Sequence, residues 1–154
     1  MSEVMKHFPN TLNRGESDEM VIQIQTVISE RGWGLRAVEE KSSGQFIGLH
    51  EVTLDLPFSP CVEIGWRLSK PYCGKGYASE AGLVVLDFSF SSLQLPAVFS
   101  FTTFSNESSR AVMERLNMEN THHILSTPAF QKGMFLERMC SIKAADSNGT
   151  FSKI

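Results

Sequence analysis

Over residues 17–32, apolar side chains at Met20, Ile24, Val27 and Ile28 follow the spacing of one helical face, with Asp18 and Glu19 in the first turn. Ser17 is the expected N-cap and Gly32 the stop. About four helical turns are predicted. Ahead of them residues 1–14, with Pro9, Asn10 and Asn13, keep no period and read as an irregular lead-in. The rhythm then changes. Residues 33–39 and 46–54 flank Lys41, Ser42, Ser43 and Gly44, a polar turn that predicts an antiparallel hairpin. Over 61–68, Val62, Ile64, Trp66 and Leu68 alternate with Glu63, Gly65 and Arg67, predicting a third strand in which Gly65 marks a bulge or a close approach. A glycine-containing loop at 71–77 leads into an apolar-rich helix at 78–90, followed by a strand at 98–104, a helix at 108–116 and a last strand at about 136–143. This order predicts an α/β (α+β) fold, one mixed sheet with helices packed on it. A single domain is expected over 1–143, and residues 144–154, rich in Ser, Asn and Gly, read as a flexible tail.

Composition narrows the function classes. A chain of 154 residues, 42% hydrophobic, has material for one core. Fourteen basic against 17 acidic residues leave a net charge of −3, no field to hold nucleic acid. Cys61, Cys73 and Cys140 are odd in number and widely spaced, which fits free thiols in a reducing compartment. The N-terminus has no apolar leader core, and no run reaches the ~20 apolar residues of a membrane helix. A soluble cytoplasmic protein without membrane attachment is expected. His122 and His123 have no cysteine or carboxylate at ligand spacing, so no metal is expected.

Chemistry concentrates in Cys73, Gly74, Lys75, Gly76, Tyr77 and Ala78, between a predicted strand and a predicted helix. Glycine admits positive φ and close approach of a ligand, and a helix start presents unpaired N–H groups, so such a loop suits a phosphate or pyrophosphate. A Walker A loop fails here, with Ser69 in place of its first glycine and Gly76 in place of its hydroxyl residue. A dinucleotide fingerprint fails as well, since its third glycine is Ser79 and residues 69–73 intervene after the strand. A third pattern, Gln/Arg-x-x-Gly-x-Gly/Ala, is met at its last two positions by Gly76 and Ala78. Taken alone, Gly74 and Gly76 also fit an ordinary strand-to-helix turn.

With these residues in place, the chain resembles the GNAT superfamily of acetyltransferases, and within it the RimJ/RimL-like (ribosomal-protein alanine N-acetyltransferase-like) branch. The strings that carry the resemblance are VEIGWRL at 62–68, PYCGKGYASEA at 71–81 and NESSRAVMERLNM at 106–118. The resemblance implies acetyl-CoA as cosubstrate, with no metal, and transfer to a primary amine, either a protein N-terminus or a small molecule. It implies that the strand at 62–68 parts from a neighbour and admits the pantetheine arm, and that a backbone N–H near Trp66 or Leu68 polarises the acetyl carbonyl. The loop amides from Cys73 to Ala78 would hold the pyrophosphate, and Asn106 with the helix it starts would contact the far end of the pantetheine. Many relatives place an acidic tyrosine seven residues after that asparagine, where this chain has Met113. Ser109 is then the candidate hydroxyl for the departing sulfur.

Glu63 and His50 are candidate bases, though each also fits a bland role, Glu63 as a solvated carboxylate and His50 as a half-buried polar residue. An α-amine with pKa near 7.7 to 8.0 is about a tenth neutral at pH 7, whereas a lysine amine is almost wholly charged, so a weak base suits an N-terminal substrate. The resemblance further implies a strand and helix ahead of the helix at 17–32, which residues 1–14 do not supply. The exposed sheet edge would then be filled in another way, pairing into a homodimer being one. Asn117 stands where a glycine is usual and tolerates a left-handed C-cap. Two alternatives stay open: a non-catalytic GNAT-fold binding module or truncated gene product, and a nucleotide-binding domain resting on the two glycines.

Overall fold

The computed structural model describes residues 11–53, 61–121 and 138–143. The lead-in at 1–10, His122, His123 and the tail at 144–154 lie outside them. Helix α1, Arg14–Arg31, starts earlier than predicted, with Asn13 rather than Ser17 as its N-cap. Asn13 Oδ1 accepts from the Glu16 N–H at 3.0 Å, and the Glu16 carboxylate accepts from the Asn13 N–H at 2.7 Å. A capping box needs an acid or amide three residues after the cap, which Glu16 supplies for Asn13, whereas Met20 stands there for Ser17. At the other end Gly32 adopts φ 80° and its N–H reaches the Ile28 carbonyl at 2.8 Å. No residue of α1 is buried, and Ile22 is 61% exposed.

Strands β1, Arg36–Glu40, and β2, Gln45–Thr53, form the expected hairpin, closed by Glu40 opposite Gln45. The register steps from Val38 opposite Gly48 to Glu39 opposite Phe46, so Ile47 is an extra residue on β2. Strand β3, Glu63–Leu68, runs antiparallel to β2 without interruption, from Thr53 opposite Glu63 to Gly48 opposite Leu68. The bulge expected at Gly65 is therefore absent from this ladder, where Gly65 faces Glu51. A close approach is present at Gly48 on the facing strand, where a Cβ would meet the Arg67 carbonyl oxygen at 2.2 Å.

Helix α2, Tyr77–Asp87, continues into one π turn at Phe88–Ser92. Strand β4, Ala97–Thr102, is followed by helix α3, Glu107–Arg115. Then come a two-residue strand β5, Glu119–Asn120, too short to leave a period in the sequence, and strand β6, Arg138–Lys143. The sheet order is β1-β2-β3-β4-β6-β5, antiparallel throughout except where β3 meets β4 in parallel. This is the mixed, mostly antiparallel sheet expected.

The core gathers Ile64, Leu86, Val98, Met113 and Leu116 between sheet and helices. Gly82 on α2 faces Leu116, whose side chain a Cβ would meet at 2.8 Å, so α2 and α3 pack closely. Helix α3 ends in a Schellman motif: Met118 N–H to Met113 carbonyl and Asn117 N–H to Glu114 carbonyl, both at 3.0 Å, with Asn117 at φ 57°. Asparagine holds the left-handed position expected of it.

Candidate active site

The sheet parts along one side of β3. Toward β2 it has six cross-strand pairs; toward β4, among the described residues, one pair is in register, Glu63 with Phe99. The Phe99 N–H reaches the Val62 carbonyl at 2.9 Å. Beyond that point the β3 edge that would meet β4 is released over the stretch carrying Trp66 and Leu68. Unpaired backbone groups there need a partner, and an extended ligand with amides of its own can supply one.

Next to this opening the chain turns through a 3₁₀ turn, Lys70–Tyr72, and then Cys73, Gly74, Lys75 and Gly76 before α2. Gly74 has φ 76° and Gly76 φ 90°, left-handed values that a side chain would strain. A Cβ at either would meet nothing within 4 Å, so the strained φ values, not crowding, are what call for glycine here. Gly76 is the N-cap of α2 and no side chain caps it. The first N–H groups of α2, those of Tyr77 and Ala78 among them, thus lie at the positive end of a helix with no protein cap. Cys73 is exposed, its sulfur 3.6 Å from the Ser69 carbonyl, and Cys61 is half-buried.

Trp66, Ser109 and Asn106 are brought together. The Trp66 Nε1–H donates to Ser109 Oγ at 3.2 Å, and Asn106 Oδ1 caps α3 by accepting from the Ser109 N–H at 3.2 Å. The buried His50 sits opposite Trp66 on β2, their rings 5.9 Å apart and tilted by 50°. Met113 is in the core, 1% exposed, and offers no proton. Glu63, three residues from Trp66, falls by strand alternation on the opposite face of the sheet from Trp66 and Ser109.

Three residues outside the sequence-derived set touch the loop. The Tyr72 hydroxyl donates to Gln45 Oε1 at 2.5 Å, and the Tyr77 hydroxyl donates to Glu40 Oε1. Hydrogen bonds from Ser43 and then Tyr77 hold the Glu40 carboxyl below its ordinary range, and the same contact pushes the Tyr77 phenol up. Tyr72 partners a residue 27 positions away and Tyr77 one 37 away, so no local pattern announces either pair. No group of three or more His, Cys, Asp or Glu side chains able to hold a metal is found among the described residues. Among them, too, no helix is long and apolar enough to cross a membrane.

Known proteins share this fold. The family described as "Acetyltransferase (GNAT) domain" matches residues 1–119. The chain is 28% identical over 119 residues to the uncharacterized protein YkkB of Bacillus subtilis (strain 168), covering 75% of this chain and 68% of that protein. The ribosomal-protein-S5-alanine acetyltransferase of Vibrio fischeri superposes with a TM-score of 0.73 at 18% identity, over 92% of this chain and 81% of that one. The microcin C7 self-immunity acetyltransferase MccE, solved with acetyl-CoA and AMP, gives a TM-score of 0.68 at 15% identity, over 84% and 71%. At these identities the structural likenesses show a common fold.

Proposed function

This chain belongs to the acetyltransferase (GNAT) family, and we propose that it transfers an acetyl group from acetyl-CoA directly to a primary amine within a ternary complex. One observation carries the reading: the sheet opens beside β3 where the uncapped, glycine-bounded start of α2 lies. The residues fit the cosubstrate. The released edge of β3 matches the amide-bearing pantetheine arm, and the first amides of α2 match a pyrophosphate. MccE, which shares the fold, was solved with acetyl-CoA.

Acetyl-CoA supplies the activated acetyl thioester. Residues of the chain do the rest. The N–H groups of Cys73 to Ala78 bind the diphosphate, with Lys75 adding a positive charge. A backbone N–H at Trp66 or Leu68 would donate toward the acetyl oxygen as the amine nitrogen bonds to the carbonyl carbon and the carbon–sulfur bond breaks; the proton the nitrogen sheds balances the one the sulfur gains, leaving an amide and a thiol. Ser109 Oγ accepts a hydrogen bond from the Trp66 indole N–H, which leaves its own hydroxyl hydrogen able to serve the departing sulfur. Asn106 fixes the backbone under Ser109. Catalysis then rests on positioning more than on strong acid or base groups, which suits a partly neutral protein N-terminal amine in a RimL-like, cytoplasmic setting.

Isothermal titration with acetyl-CoA tests the reading, alongside Gly76→Glu, which sets a carboxylate where the diphosphate should lie. Micromolar binding by the wild type and its loss in the variant is the expected result. A wild type that binds no acetyl-CoA overturns it. The core position of Met113 favours one competing reading, a binding module that keeps the cleft without turnover. Transfer to any amine in a broad panel would exclude that reading.

A further inference from the structure

We propose that the β1–β2 hairpin positions the cofactor loop through a two-tyrosine clamp, in which Gln45 holds the Tyr72 hydroxyl and Glu40 the Tyr77 hydroxyl. The proposal rests on the reading of residues 73–78 as the acetyl-CoA diphosphate grip. A loop carrying two left-handed glycines has many alternative backbone states, and binding through its amides requires that one be selected. The selecting contacts flank the loop on both sides, Tyr72 just before Cys73 and Tyr77 just after Gly76.

Both hydroxyls end on a single rigid unit. Glu40 and Gln45 are the cross-strand pair that closes the hairpin. The Glu40 carbonyl accepts from the Gly44 N–H at 2.8 Å and the Ser43 N–H at 3.2 Å, which fixes the turn. The Glu40 carboxylate is fixed as well, because the Ser43 hydroxyl donates to Oε2 at 2.6 Å while Tyr77 takes Oε1. Lys75 is drawn into the same cluster, its ammonium 5.4 Å from the centre of the Tyr72 ring. The hairpin therefore acts on acetyl-CoA indirectly: Glu40 and Gln45 are positioning residues for amides presented by others. Preorganising a loop raises affinity by removing the ordering cost from the binding step, and leaves the chemical step untouched once the site is full.

The test compares acetyl-CoA affinity, KM and kcat for the wild type, Tyr72→Phe, Glu40→Leu, their double variant and Glu40→Gln, with melting temperatures. Tyr72→Phe removes one hydrogen bond and Glu40→Leu removes two, those from Tyr77 and Ser43; each variant is expected to raise Kd and the acetyl-CoA KM about 3- to 10-fold, with kcat at saturation within about twofold. The double variant should lose about the product of the two. Glu40→Gln keeps an oxygen acceptor for Tyr77 and should bind within about twofold of the wild type. Wild-type binding with every variant within twofold in Kd, whatever the melting temperatures do, overturns the clamp and leaves the cofactor reading standing. A fall in kcat without a change in KM overturns it too. A wild type that fails to bind acetyl-CoA overturns the cofactor reading, and the clamp with it.

Discussion

The starts of α1 and α2 solve one problem in opposite ways. Every helix begins with N–H groups that its own backbone cannot satisfy. At α1 the capping box of Asn13 and Glu16 closes that end with the chain's own side chains, although the helix buries none of its residues. At α2, which contributes Leu86 to the core, the cap is Gly76 and contributes no side chain. A side-chain cap is supplied where the helix is peripheral and withheld where it abuts the opened sheet. The lesson is that an end left open in an otherwise well-packed region points to a ligand.

The widest test of that contrast closes the open end. Gly76→Glu should weaken acetyl-CoA binding about 100-fold or more, since it adds a negative charge at the diphosphate and strain at φ 90°. Gly76→Ala carries the strain alone, and titration of the two separates charge from backbone. Asn106→Ala removes the cap of α3, expected to lower stability by ~1 kcal/mol in a denaturant melt. It should also reduce kcat several-fold, because Ser109 loses its anchor. Asn13→Ala should lower stability by a similar ~1 kcal/mol or less and leave acetyl-CoA affinity unchanged in the same titration. If Asn13→Ala weakened binding as much as Asn106→Ala slowed turnover, the two kinds of helix start would not differ in function.

The smallest effect concerns pH. Glu40 titrates below its ordinary value, so its contribution is full above that value and is lost as pH falls through the lower folded one. Tyr77 titrates above its ordinary value, so its contribution is present below that value and is lost as pH rises through the higher one. Lys75, Tyr72 and Glu80 are the other ionisable groups acting on this pair. The stability difference between wild type and Glu40→Leu should therefore stay flat between about pH 5 and 9 and shrink on both sides. A slope inside that window would break the assignment.

Much of this was legible in the sequence because it is local. Alternation from Val62 to Leu68 places β3, and the glycines at 74 and 76 announce the loop and the start of α2. Asn106 and Asn117 show both ends of α3. What stayed hidden depends on contacts between distant segments. The start of α1 was misplaced because Ser17 is as good a cap by type as Asn13, and the acid three residues on decides between them. The crowding at Gly48 had no local signal, since a glycine on one strand can exist to spare the backbone of the next. The hydroxyl partners of Tyr72 and Tyr77 lie on a hairpin 27 and 37 positions away, beyond the reach of any local pattern. The parting of β3 from β4, which the resemblance implies, leaves no mark in the local alternation, being a property of register.

The extra residue at Ile47 has a consequence in parity. Directly opposed residues share a face of the sheet, and Gln45 shares the face of Glu40 because β2 spends two residues where β1 spends one. Without that odd step Phe46, now 59% exposed, would stand opposite Glu40, and a phenyl ring would be offered to Tyr72 in place of an amide. A slip of pairing that absorbed the extra residue would thus invert what the hairpin shows the loop without changing its length. Deleting Ile47 would remove the bulge and leave Gln45 opposite Glu40, so the register of the hairpin, not its length, keeps the tether.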